Sequence, residues 1–166
     1  MISVVPDDSV YDRIARFADT FAAAGVRLAL EFVPYTEVRT LDAARAVCDR
    51  VGRAECGLLI DTLHLARSGG SAADIAELAP DEIAAVQLAD AAAIAPADLP
   101  TESRESRLLP GEGALDIAGF AAALSRCGWT GVVSTEVLSA ELRSLPAPAL
   151  AEACAVAARR FFPEPC

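Results

Sequence analysis

Apolar and polar positions alternate along this chain in two rhythms that take turns. Residues 2–5 form a short β-type run, and Pro6, Asp7, Asp8 and Ser9 after it predict a turn that caps a helix. Over residues 10–24, Val10, Ile14, Phe17, Ala18 and Phe21 return at helical spacing and Gly25 closes the segment, which predicts a helix with one buried face. Residues 26–32 are almost continuously apolar apart from Glu31, as expected of a parallel strand covered on both faces, and Pro34 stops the run. Residues 40–51 carry Leu41, Ala44, Val47 and Val51 at helical spacing, with Gly52 behind them.

The same grammar then repeats. Residues 56–60 read as a strand ending in Asp61, residues 71–78 as a short helix, and residues 83–88 as a strand with Gln87 near its end. A long polar, proline-bearing loop follows, then a helix over residues 116–126, a strand over residues 131–137 containing Glu136, and a closing helix over residues 148–162. Alternating strands and helices predict right-handed βαβ units and a parallel sheet, either open and doubly wound or rolled into a barrel. Glu31, Asp61, Gln87 and Glu136 favour the barrel. Each sits near the C-terminal end of a different apolar strand, where barrel enzymes gather their catalytic groups.

The expected fold class is therefore α/β, of the (β/α)8 TIM-barrel type, with residues 1–166 forming one partial domain. A complete barrel takes about 250 residues, whereas the 166 here supply about five strands. Five strands do not close a barrel, and their two open edges would invite pairing with a second copy or a partner chain.

Composition narrows the partners. A net charge of -10, with no basic stripe, disfavours nucleic acid. No apolar run approaches the roughly 20 residues of a membrane helix, and no basic region followed by an apolar one opens the chain, so a cytoplasmic, non-membrane location is expected. Cys48, Cys56, Cys127, Cys154 and Cys166 include no C-x-x-C pair and read as reduced, buried thiols. Neither a Ser-His-Asp order nor a Gly-x-Ser-x-Gly elbow is present, which speaks against covalent hydrolysis.

Taken singly, each strand-end residue is a solvated carboxylate or a hydrogen-bond partner. Four of them in four successive apolar strands are harder to explain that way, because ionisable groups are costly to bury unpaired. All four donate oxygen, a set that suits Mg2+ or Mn2+ better than zinc or copper, and such an ion polarises a carbonyl while a neighbouring proton leaves. His64, the single histidine, lies three residues after Asp61, where proton transfer or substrate contact weighs about evenly against a structural role. Arg67, Ser68, Gly69, Gly70 and Ser71 could present amides to an anion, although a plain turn is the stronger reading. In the long loop, Glu102, Arg104, Arg107 and Glu112 approach the same face. Arg107 is the best candidate for a substrate oxygen, and Gly111 and Gly113 shape the backbone around Glu112.

Five segments together, Leu30-Glu31-Phe32-Val33-Pro34, Ile60-Asp61-Thr62-Leu63-His64, Val86-Gln87-Leu88-Ala89-Asp90, Arg107 through the Pro110-Gly111-Glu112-Gly113 turn, and Thr135-Glu136-Val137, resemble the second half of the xylose isomerase-like sugar phosphate isomerase/epimerase family. The resemblance implies a TIM barrel in which Glu31, Asp61, Gln87 and Glu136 bind Mn2+, Mg2+ or Co2+. It also implies that Glu31 and Glu136 shuttle protons, and that His64 and Arg107 hold a polyhydroxy carbonyl substrate with Arg67 and Glu112 nearby. Many of the family's epimerases have histidine where this chain has Gln87, whereas dehydratases acting on 3-dehydroshikimate or inosose resemble it in using glutamine. Isomerase, epimerase and lyase chemistry all begin with the same proton abstraction. The family's early strands have no counterpart before Met1, so a non-catalytic half-barrel subunit is a further expectation.

Overall fold

The structure, a computed structural model, describes residues 8–162; the strand expected at residues 2–5 and Cys166 lie outside them. Four strands, β1 (Leu28–Glu31), β2 (Cys56–Asp61), β3 (Ile83–Leu88) and β4 (Val133–Thr135), make one parallel sheet in the order β1-β2-β3-β4. Each strand lies beside the one before it in the chain, as successive βα units of a barrel do. Among the described residues the sheet is not closed: β1 is hydrogen-bonded to β2 alone and β4 to β3 alone.

Helices α1 (Asp8–Ala22), α2 (Leu41–Val51), α3 (Thr62–Arg67), α4 (Ala72–Ala76), α5 (Leu99–Glu105), α6 (Ile117–Cys127) and α7 (Ala147–Arg159) connect and cover the strands. Their ends are written in the sequence. The Thr40 side chain accepts from Ala43 N at the start of α2, and Asp116 accepts from Gly119 N at the start of α6. Gly128 ends α6 in the left-handed region at φ 78°.

The period of two along each strand separates core from site. Leu58 and Ile60 of β2, with Val86 and Leu88 of β3, are fully buried among Ala44 and Val47 of α2 and Phe120 and Leu124 of α6. Each large apolar side chain so buried contributes about 1.5–3 kcal/mol. Gly57, Leu59 and Asp61 alternate with that set and belong to the opposite face.

The helical rhythm overstated the buried face of α1. Tyr11 and Ala18 are buried, with the Arg50 guanidinium 4.2 Å over the Tyr11 ring, whereas Phe17 is 61% and Phe21 42% exposed. Helix α1 packs against α2, and these two rings are left largely open. Two further differences concern segments expected as loops. Helix α3 begins directly after Asp61, and α5 interrupts the long polar loop, because Asp61 and Asp98 each cap a first turn with a side-chain oxygen. Cys48 and Cys56 are buried with their sulfurs 3.7 Å apart, while Cys127 and Cys154 are half-buried; these four thiols are free. No helix of the described residues is long and apolar enough to cross a membrane.

Candidate metal centre at the strand ends

Glu31 closes β1, Asp61 closes β2, Gln87 is the penultimate residue of β3, and Glu136 follows β4 directly. Parallel pairing sets Asp61 beside Gln87, and Glu136 N donates to Leu88 O at 2.9 Å. One carboxylate oxygen from each of Glu31, Asp61 and Glu136 lies within 4.8 Å of the others, and Gln87 Nε2 donates to Glu136 Oε1 at 3.3 Å. The four strand-end residues expected from sequence thus converge on one place.

Asp61 is fully buried. Its Oδ1 accepts from His64 N at 3.0 Å, which caps α3, and its Oδ2 accepts from Arg107 Nη1 at 2.6 Å. The same Nη1 lies 3.1 Å from Glu136 Oε2 and donates to the Glu136 carbonyl at 3.1 Å. By contrast, two buried oxygens of the cluster, Glu31 Oε1 and Gln87 Oε1, have no hydrogen-bond partner. Unpaired oxygens beside three carboxylates are what a hard divalent cation satisfies, so these residues fit such an ion.

The electrostatics follow from crowding and burial. Burial raises the Glu31 carboxyl from its ordinary 4.5 to about 7, with help from Asp61 and Glu136 and against Arg107. Burial also raises Glu136, with Arg107 again opposing. His64 is pushed below its usual value, chiefly by burial. Its Nε2 lies 3.6 Å from Glu31 Oε1, but a ring that resists protonation makes this a contact and not an ion pair.

The other expected contacts separate into two groups. His64 and Arg107 lie in the cluster, 3.4 Å apart between Nε2 and Nη2. Arg67 is held by Glu102 through two bonds of 2.8 and 2.6 Å and donates to Ala92 O, which joins α3 to α5, while Glu112 is exposed in its turn. Arg104 is exposed on α5.

Two residues without an assigned role organise this face. The Asp90 carboxylate accepts from four backbone amides, those of Ala91, Gly111, Gly113 and Leu115, at 2.8–3.0 Å. A Cβ on Gly113 would run into Asp90 and the Ala91 backbone, which accounts for the glycine. Ser103 of α5 accepts from Arg107 through both its hydroxyl and its carbonyl. Asp90 has a sequence signal, a carboxylate three residues past Gln87 and ahead of a glycine-rich turn. Ser103 has none.

The family described as xylose isomerase-like TIM barrel matches residues 6–160. The chain belongs to this family. It is 33% identical over 136 residues to 3-dehydroshikimate dehydratase from Pseudomonas aeruginosa, covering 81% of this chain and 21% of that one. It is also 30% identical over 143 residues to inosose isomerase from Bacillus subtilis, covering 84% of this chain and 50% of the relative. Among solved structures, the IolI protein with a bound zinc atom superposes with a TM-score of 0.86 at 25% identity, covering 98% of this chain and 60% of that one. The chain therefore spans about half the length of the inosose isomerase it matches and a smaller share of the dehydratase. A TIM-barrel-type α/β fold, a carboxylate cluster able to hold a metal, and relatives that include an isomerase and a dehydratase are the common ground.

Proposed function

We propose that this family member acts as a divalent-metal-dependent isomerase or epimerase on a sugar-like polyhydroxy carbonyl compound, in the cytoplasm. The observation that carries the reading is the convergence of Glu31, Asp61 and Glu136 within 4.8 Å beside two unpaired buried oxygens. Glu31, Asp61, Gln87 and Glu136 would hold the ion, Mn2+ or Mg2+ on the strength of an all-oxygen set, with Co2+ and the zinc of the IolI structure as alternatives to assay. Once bound, the ion would polarise the substrate carbonyl and stabilise charge on its oxygen.

In this reading Glu31, as a carboxylate at the strand ends, takes the proton from the carbon next to the carbonyl. Glu136 returns a proton, and neutral His64 orients a substrate hydroxyl. Arg67, Arg107 and Glu112 would border the substrate. The test is hydrogen-deuterium exchange: the Mn2+-loaded chain is incubated in D2O with a panel of ketoses and inososes and followed by NMR. Deuterium at the carbon next to the carbonyl is expected. A fully metallated chain that neither exchanges nor interconverts any of them would sink the proposal.

Dehydration is a second reading, supported by Gln87 and by the 33% identity to a 3-dehydroshikimate dehydratase. It shares the first proton abstraction and then expels hydroxide, so ultraviolet absorbance of a conjugated product separates the two. We also propose that the edges of β1 and β4, unpaired among the described residues, pair with a second copy or a partner chain that completes the barrel, with the 85% exposed Val132 beside β4 among the side chains covered. A strictly monomeric chain with full activity in sedimentation and turnover measurements would remove that part.

A further inference from the structure

Tyr35 stands in the turn between β1 and α2, a few residues past Glu31, and is 39% exposed. Its turn is anchored at both ends. Phe32 and Val38 are buried on either side of it, Val33 N donates to Val38 O at 2.8 Å and Thr36 N donates to Val33 O at 2.9 Å. The Thr36 hydroxyl lies 2.9 and 3.1 Å from the same two carbonyls, of Val33 and Val38. Pro34 fixes one more backbone dihedral directly ahead of the ring. An aromatic side chain is therefore held at the surface by a backbone with little freedom to withdraw it.

The ring stands against the acidic cluster. Its centroid lies 6.0 Å from that of His64 with the two planes at 75°, and His64 Nε2 lies 3.6 Å from Glu31 Oε1. Imidazole and phenol thus form a corner beside the strand-end carboxylates. The carboxylates, Arg107 and His64 suit hydroxyl and carbonyl oxygens, whereas Tyr35 adds an apolar face, and ligand sites combine a few polar groups with aromatic walls in this way. A six-membered ring ketone with hydroxyls around its rim turns a flat face of C–H bonds toward an aromatic ring while its rim oxygens reach the polar groups. An open-chain ketose has no such face until rotation about its C–C bonds is frozen, which costs entropy.

We propose that Tyr35 is a specificity-determining residue whose ring packs on the C–H face of a cyclic polyhydroxy ketone and selects it over an open-chain ketose of similar size. The inference rests on the reading of the site as one for polyhydroxy carbonyl compounds and narrows that class to ring ketones. A tyrosine fixed by its turn supplies contact area at little conformational cost, so the preference is built in before the ligand arrives.

The test uses the Mg2+-loaded 166-residue chain with 3-fluorotyrosine in place of tyrosine. The chain has two tyrosines, Tyr35 and the buried Tyr11, so fluorine NMR gives two resonances that Tyr35→Phe assigns. Titration with an inosose is expected to shift the Tyr35 resonance and leave that of Tyr11 in place. By calorimetry, Tyr35→Ala is expected to weaken inosose binding by about 3–10-fold, the worth of a packed aromatic pair, while binding of a ketohexose stays as in the parent and Tyr35→Phe keeps parent-like affinity for both. A Tyr35 resonance unmoved by the inosose overturns the proposal, as does a Tyr35→Ala chain that melts like the parent and either binds the inosose equally well or loses both ligands by the same factor.

This outcome is separable from the isomerase reading. A Tyr35 resonance that shifts in a chain exchanging deuterium into no carbonyl compound keeps the ring contact and sinks the isomerase. Deuterium exchange by a chain whose Tyr35 resonance never moves keeps the isomerase and sinks the ring contact.

Discussion

The two sides of the acidic cluster are built differently. On one side Asp61 and Arg107, at 0% and 2% side-chain exposure, fill each other's hydrogen-bonding capacity together with His64 N and Ser103. On the other side Glu31 and Glu136 are a third exposed, and Glu31 Oε1 and Gln87 Oε1 lack partners. The first side resembles a piece of core that happens to be charged. The second carries unmet demand for a cation. One cluster thus contains a pole that keeps the fold together and a pole kept open for chemistry, and substitutions at the two should act with opposite signs.

The largest effect belongs to the closed pole. Asp61→Asn removes the charge facing Arg107 and turns an amide toward the guanidinium, leaving a buried cation without its main partner. A loss of about 3–5 kcal/mol is expected, measured by urea unfolding of the metal-free chain. A loss below about 1 kcal/mol would mean that Arg107 relaxes to solvent, and the distinction between the poles would collapse.

At the open pole, Glu31→Gln is expected to make the metal-free chain more stable, because a carboxylate crowded by Asp61 and Glu136 is replaced by a neutral amide of the same shape. Mn2+ affinity should fall by at least the roughly 10–100-fold that follows loss of an outer-shell partner. Calorimetry and melting curves on the same preparation read both signs. A variant that loses stability and metal together would make Glu31 part of the closed pole.

Acidity sharpens the comparison further. Glu31 is raised from 4.5 to about 7, so the folded metal-free chain holds a proton that the unfolded chain has lost over that window. Its contribution to stability is complete below about 4.5 and is lost as pH rises through about 7. Mn2+ needs the anion, so its affinity should rise across the same window, by up to about tenfold per unit below the folded pKa. Melting at pH about 5 and about 8, with and without Mn2+, should show metal-induced stabilisation growing as the metal-free chain weakens. Stabilisation independent of pH would place the binding elsewhere.

The open pole was more legible in the sequence than the closed one, and for a physical reason. Glu31, Gln87 and Glu136 stand at or just past the C-terminal ends of apolar strands, where a polar residue is conspicuous, and of the closed pole only Asp61 shares that signal. Arg107, Ser103 and Glu102 lie in a stretch where polar residues are ordinary, so nothing local marks them as buried. Their burial arises from α5 folding back onto α3, a contact between Arg67 and Glu102 separated by 35 residues. The exposed Phe17 and Phe21 were hidden for a related reason: helical spacing predicts an apolar face but not what that face meets.

The smallest effect is expected at Glu112. It stands exposed in a turn whose backbone is already fixed, with Gly111 N and Gly113 N on either side bonded to Asp90. Replacing it by alanine removes no packing, so stability should change by no more than about 0.5 kcal/mol. Mn2+ affinity should also stay constant, since its neighbours in the turn report to Asp90 and not to the cluster. What remains for Glu112 is contact with whatever enters from outside: Glu112→Ala should raise KM and leave kcat alone once a substrate is in hand. A fall in kcat or in Mn2+ affinity would show that the turn is coupled to the acidic cluster, and the division between a fixed wall and an open pole would have to be redrawn to include it.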